Sequence, residues 1–308
     1  MPTIQTHAGI KGLGWVRGNR KRFLSLPVYR SYSTLYSVTP SVDMRPLDTP
    51  IKDQGNLGSC TSFMATGVMQ FVRKALGLPD ISLSELFIYY NERVLEDTVP
   101  YDSGASIEDA FTVLANPGAC PETDWPYDIN NFTVKPPPNC YTDAAMDVAT
   151  QEMALDGSLD SIKQALAQGF PVGFGFDVYS SFQNIGPDGI MPVPGALEPR
   201  LGGHAVMYVG YDDAKQWLIT RNSWGTSWGA SGYFYMPYEI VANGQASDFR
   251  IVQMVSVTPT PQPVPVPPTP PTPPNPNPCP QGLLQAGINS LEVFLADLKH
   301  IERTARGR

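Results

Sequence analysis

Residues 54–76 read QGNLGSCTSFMATGVMQFVRKAL. The first seven, Gln54–Cys60, run directly into a mostly apolar stretch, Thr61–Leu76, that carries Phe63, Met64, Val68, Phe71 and Leu76. Gly77 and Pro79 stop it, so the spacing predicts a buried helix with Cys60 at its N-terminus. Unpaired N–H groups and the helix dipole at such a position favour thiolate over thiol, and the thiolate is the nucleophilic form. A lone cysteine at a helix start is more often a buried structural residue, so the rest of the chain has to decide between the two.

Outward from this helix, Ser82 with Glu85 fits a capping box before the run Leu86–Leu95, and Ser106 with Asp109 fits another before Ala110–Ala115. The second half reads as strands, with candidates at Val172–Tyr179, His204–Tyr211, Trp217–Asn222, Gly232–Tyr238 and Asp248–Val257. Helices first and strands second predict segregated α+β packing, and a cleft between the two halves is a natural place for a site.

The 308 residues are 42% hydrophobic and 16% charged, which suits a packed core. The formal net charge of -8 argues against nucleic acid as the main partner, because phosphate binding needs clustered Lys and Arg. No apolar run reaches the roughly 18 residues of a membrane-spanning helix. Residues 1–22 are basic and no apolar core follows them, so no secretory signal is read; a cytoplasmic protein, or one exported by a non-classical route, is the expectation. Four cysteines, Cys60, Cys120, Cys140 and Cys279, are too few for a disulfide scaffold and contain no CxxC pair, so neither metal nor cofactor is expected. Of three histidines, His7 and His300 lie near the ends and are expected outside a catalytic core, which leaves His204.

His204 opens an apolar strand in Gly202-Gly203-His204-Ala205-Val206, and Asn222 closes another before Ser223-Trp224-Gly225. Each is ordinary alone: a structural histidine and a turn asparagine. Together with Cys60 they follow in the order Cys, His, Asn at separations of about 144 and about 162 residues. Papain and cathepsins place the pair about 130–150 residues after the nucleophile. The matching residues are Ser41-Val42-Asp43-Met44-Arg45, Gln54-Gly55 with Gly58-Ser59-Cys60, Gly203-His204-Ala205-Val206, and Arg221-Asn222-Ser223-Trp224-Gly225-Thr226-Ser227-Trp228-Gly229 with Gly232-Tyr233-Phe234. Over about residues 40–257 the chain resembles the papain-like cysteine peptidases, and within them the compact bacterial members.

The resemblance implies a papain-like fold, with a helical left half, an antiparallel β-barrel-like right half and the active-site cleft between them. It also implies roles: Cys60 attacks a peptide carbonyl, His204 acts as base and then acid, and Asn222 orients the imidazole. The Gln54 amide and the Cys60 N–H would form the oxyanion hole. Trp224 would shield the Asn–His bond, and Gly104 and Trp228 would bind substrate. Three functions fit: a cysteine peptidase acting on peptides or proteins, a peptide ligase or amidase using the same acyl-enzyme, and an inactive binding module. The intact Gln54, Cys60, His204 and Asn222 set favours the first.

Thr61 stands where the family usually has Trp, and Leu57 where many members have a disulfide cysteine. Cys120 and Cys140 flank a proline-rich loop, and spacing alone does not decide whether they pair. Residues 1–38 are a basic lead, shorter than the family's helical pro-segment. The lead is expected either to pack on the acidic body and partly block the cleft or to be a structural strap or a disordered tail. Residues 39–257 form the expected peptidase domain, and 258–280, with PVPVPPTPPTPP, a polyproline linker. Residues 281–308 read as an amphipathic helix whose Leu284, Ile288, Leu291, Leu295 and Leu298 form a short heptad seam, a candidate for self-association or partner docking.

Overall fold

The computed structural model describes residues 1–18, 27–29 and 39–257. The proline-rich stretch 258–280, Cys279 and the expected helix 281–308 lie outside the described residues.

In chain order the elements are β1 (Thr3–Thr6), β2 (Gly9–Gly12), β3 (Ser41–Asp43), α1 (Cys60–Ala75), α2 (Glu85–Leu95), α3 (Ile107–Ala115), α4 (Pro138–Ala144), β4 (Asp147–Ala154), α5 (Leu159–Ala167), β5 (Val172–Tyr179), β6 (Arg200–Asp212), β7 (Trp217–Arg221), β8 (Tyr233–Pro237), α6 (Tyr238–Ala242) and β9 (Ala246–Val257). β1 and β2 form an antiparallel hairpin. The main sheet is antiparallel in the order β4-β9-β5-β6-β7-β8, with β3 paired to β6. The fold is α+β, with α1–α4 ahead of β4–β9 and the short α5 and α6 set between those strands. The strands trace an open path rather than a closed barrel.

α1 is the hinge between the layers. Every residue from Cys60 to Arg73 is buried, as expected of a mostly apolar helix enclosed on all sides. It packs on α2 and α3 on one side and on β5, β6 and β9 on the other. Side chains such as Phe71, Val68 and Met69 are fully enclosed, each contributing roughly 1.5–3 kcal/mol of apolar burial. Two glycines admit this packing: a Cβ at Gly67 would stand 3.2 Å from the Met207 sulfur, and one at Gly173 2.3 Å from that of Met64.

Local chemistry explains the element starts. Ser106 caps α3 as the sequence predicts, accepting from Asp109 N at 3.1 Å while its hydroxyl donates to the Asp109 carboxylate at 2.6 Å. For α2 the cap is Ser84, not Ser82: Ser84 Oγ accepts from Phe87 N at 3.1 Å. Glu85 is instead drawn inward, where Lys52 donates to it at 2.7 Å and Thr66 at 3.0 Å. A buried carboxylate needs such partners more than a helix needs a second cap contact.

Candidate active site

Cys60 begins α1, and its sulfur faces the backbone N–H groups of Thr61, Ala205 and Gly14. Ala205 lies on β6 beside His204, so the register of that strand brings the imidazole to the helix N-terminus. Asn222 follows the last residue of β7. Its Oδ1 lies 2.8 Å from His204 Nε2 and also accepts from Ser223 N at 2.8 Å, which fixes the amide. With Nε2 engaged, Nδ1 is the ring nitrogen left without a hydrogen-bond partner.

Gln54 is buried beside them. Ser223 Oγ donates to its Oε1 at 2.6 Å, and this sets the amide so that Nε2 donates to Leu57 O at 2.8 Å and to Gly12 O at 3.3 Å. Trp224 stacks on the His204 ring, with centroids 4.7 Å apart and planes 28° apart, and covers the His–Asn bond. Trp228 is fully buried beneath Trp224, edge-on to it and packed on Phe182 and Phe234. It therefore braces the aromatic cluster over the imidazole. Gly104 has φ +71°, and a Cβ there would stand 2.0 Å from Gly14 O, so this turn admits close approach of another backbone.

That other backbone is the lead. Gly12 N donates to Gly55 O at 3.1 Å, Ala105 N to Gly14 O at 2.9 Å, Trp15 N to Gly203 O at 3.1 Å and Val16 N to Ala105 O at 3.0 Å. Residues 12–16 thus run through the cleft between the Gly104 turn and β6, parallel to Ala105. Lys11, only 4% exposed, donates to the Asp53 carboxylate at 2.7 Å. The hairpin turn before β2 sets His7 Nε2 3.2 Å from Ser227 O. His7 therefore lies against the last sequence block of the site, not apart from it. The chain's spacing carried no sign of this hairpin, because its two strands are short and only part of each is buried.

Burial dominates the electrostatics of the pair. Burial pushes the Cys60 thiol up to about 12, against the backbone N–H groups that favour its thiolate. Burial also holds the His204 imidazole down to about 4, partly offset by Asn222. In this arrangement burial favours the neutral thiol and the neutral imidazole. The helix terminus alone predicted a thiolate; loss of water outweighs it.

Asp102 and Tyr89 were not legible as site residues. Asp102 Oδ1 accepts from Gly58 N at 3.1 Å and from Tyr89 OH at 2.5 Å, and that hydroxyl accepts from Gly104 N at 3.1 Å. They tie the loop before Cys60 to the Gly104 turn. Cys120 and Cys140 are both buried free thiols, facing one another without a disulfide. Among the described residues no cluster of His, Cys, Asp and Glu is arranged to hold a metal ion, and no helix is long and apolar enough to cross a membrane.

The model of the papain family cysteine proteases matches residues 38–254. An uncharacterized peptidase C1-like protein of Acanthamoeba polyphaga mimivirus is 41% identical over 216 residues, which is 66% of this chain and 70% of that protein. Cysteine proteinase 3 of Entamoeba histolytica is 32% identical over 203 residues, 64% of this chain and 62% of that protein. The crystal structure of xylellain, a cysteine protease from Xylella fastidiosa, superposes with a TM-score of 0.72 at 35% identity, covering 84% of this chain and 98% of that one.

Proposed function

This chain belongs to the papain family of cysteine proteases, and on that footing we propose that it hydrolyses peptide bonds through a thioester on Cys60 and is held inactive by its own lead. The observation that carries the reading is the His204 Nε2–Asn222 Oδ1 bond, 2.8 Å long, beside a cysteine at a helix N-terminus. The bond holds the ring so that Nδ1 is available to exchange a proton with the Cys60 sulfur.

Once the lead leaves, water returns to both groups and the desolvation that keeps them neutral falls away. The thiol proton passes to Nδ1, and the thiolate attacks a substrate carbonyl. The developing oxyanion takes hydrogen bonds from Gln54 Nε2 and Cys60 N–H, donors that are worth roughly 3–4 kcal/mol each in comparable sites. His204 returns the proton to the leaving amine, and water then cleaves the thioester with His204 as base. Ser223 keeps Gln54 in its donor orientation, and Trp224 keeps water off the imidazole–amide bond.

The lead blocks this chemistry by position. It spends the Gln54 donor on Gly12 O and presents an N–H, that of Gly14, to the sulfur, where a substrate presents a carbonyl. The test is hydrolysis of a fluorogenic peptide by the full chain, by a chain carrying Gly14→Ala and by one that also carries Cys60→Ala. Activity in the second that vanishes in the third supports the reading; equal activity in both rejects it. The heptad seam at 281–308 supports a further proposal, docking on a second copy or a partner. Sedimentation with and without residues 258–308 tests it, and equal monomeric masses exclude self-association.

A further inference from the structure

Residues 121–139 form a loop that the core does little to hold: Pro136 is its one fully buried residue. Polar contacts hold it instead. Glu122 N donates to Ser82 O at 2.8 Å, Tyr127 N donates to the Glu122 carboxylate at 2.7 Å, and the Arg93 guanidinium donates to Phe132 O. The loop matters to the site through Tyr127. Its hydroxyl donates to Gln54 O at 2.9 Å and lies 2.6 Å from Ser59 Oγ, and its ring stands edge-on to Phe63 with centroids 4.8 Å apart. Gln54 and Ser59 both belong to the segment that leads into Cys60, so the loop braces that segment from outside the cleft.

Two thiols close the base of this loop. Cys120 precedes it and Cys140 follows it; both are fully enclosed, and their thiols hydrogen-bond to one another. Cys140 Sγ also donates to Asp124 O at 3.6 Å. Gly118 lets the two backbones close in: it has φ +99°, and a Cβ there would stand 2.1 Å from Ala144 O at the end of α4. The two sulfurs are held unequally. Cys120 O accepts from Ser84 N at 2.9 Å, which fixes that residue to the start of α2. Cys140 lies on α4, where only Cys140 and Ala144 are buried, so opening of this one short helix frees its sulfur. Burial raises both thiols, but the hydrogen bond from Cys120 favours the Cys140 thiolate, so Cys140 ionises first.

We infer that Cys120 and Cys140 are a redox modification site: they form a reversible disulfide by exchange with low-molecular-weight disulfides, and the bond locks the loop that carries Tyr127. The Cys140 thiolate attacks one sulfur of the small disulfide, forms a mixed disulfide and releases one small thiolate. Cys120, deprotonated in turn, attacks Cys140 Sγ and releases the second. One S–S bond breaks and one forms. The two protein thiols lose two electrons and two protons, and the small disulfide takes up both as two thiols. The bond closes a loop of 19 residues between the cysteines, long enough for a cross-link to restrict the unfolded chain appreciably.

The test uses the full chain carrying Cys60→Ala and Cys279→Ser, in which Cys120 and Cys140 are the two remaining thiols. It is brought to equilibrium with excess glutathione disulfide, digested and read by peptide mass. The expected product is a Cys120–Cys140 cross-linked peptide pair, free of glutathione, that dithiothreitol reverses. Oxidation should also raise Tm by about 6–12 °C, from the loop length and the size of the chain. Adding Cys140→Ala, or Cys120→Ala if the first variant does not fold, should abolish that rise. Two thiols that persist, or that each keep a glutathione, overturn the inference. So does a cross-linked chain with unchanged Tm, or a rise that survives loss of either cysteine.

Discussion

A single methyl group at residue 14 should open the enzyme. In Gly14→Ala the new Cβ would stand 1.7 Å from Gly58 O, 2.3 Å from Gly58 C and 2.7 Å from Gly58 Cα. All three are backbone atoms of the loop before Cys60, itself tied to Asp102, so no rotamer change relieves the contact. The lead must move instead, by more than an ångström, to restore ordinary separation. A shift of that size breaks the hydrogen bonds of Ala105 N to Gly14 O, Trp15 N to Gly203 O and Val16 N to Ala105 O. At about 0.5–1.5 kcal/mol each, the three together contribute roughly 2–4 kcal/mol. The open fraction should then rise roughly 30- to 700-fold, at about 1.4 kcal/mol per decade. Both the rate of Cys60 alkylation and kcat/KM on a fluorogenic peptide should rise in that range, up to the point where the chain is fully open. Gly195→Ala is the control, since a Cβ there meets nothing within 4 Å. Rates in Gly14→Ala within twofold of the parent would refute both the seating of the lead and its inhibitory role.

Other outcomes follow from the same geometry. Asn222→Ala removes the 2.8 Å partner of His204 Nε2 and should lower kcat in the opened Gly14→Ala chain by roughly a hundredfold, with little change in KM. Lys11→Met breaks the ion pair with Asp53; because Asp53 is about half exposed, the lead should loosen by only about 1 kcal/mol, read as a severalfold faster alkylation of Cys60 that added salt does not increase further. The closed state holds His204 at about 4, whereas the open chain binds that proton near 6.5. The contribution to closure is therefore complete above pH 6.5 and is lost as pH falls toward 4, by up to about 3 kcal/mol. Asp248 opposes it, because burial raises its carboxyl and acid then favours the closed form. Hydrogen-exchange protection of Trp15 N–H should accordingly fall more steeply between pH 6.5 and 4 in Asp248→Asn than in the parent; equal slopes would contradict the assignment.

The strongly periodic parts of the fold were legible in the chain. β5 was expected at Val172–Tyr179 and stands there, and α1, α2, β7 and β9 differ from expectation by one or two residues. Short or half-exposed elements were not: β4, α4 and α6 carry too few buried positions to impose a period, and the lead that follows the β1–β2 hairpin is held by the cleft it enters. Cys60, His204 and Asn222 could be read because order and spacing survive in sequence, and the structure brings them together. Asp102, Tyr89 and Ser223 could not, since their contacts depend on loops that converge only in three dimensions. Trp228 packs in the core beneath its motif neighbour Trp224, which lies on the imidazole.

The most direct test is intact mass after brief exposure of the Gly14→Ala chain, with and without Cys60→Ala, to a thiol-directed epoxide peptide near pH 6. The account predicts one adduct, mapped to Cys60, that is absent from the Cys60→Ala chain. An adduct on Cys120 or Cys140 instead, or one that persists without Cys60, would contradict it.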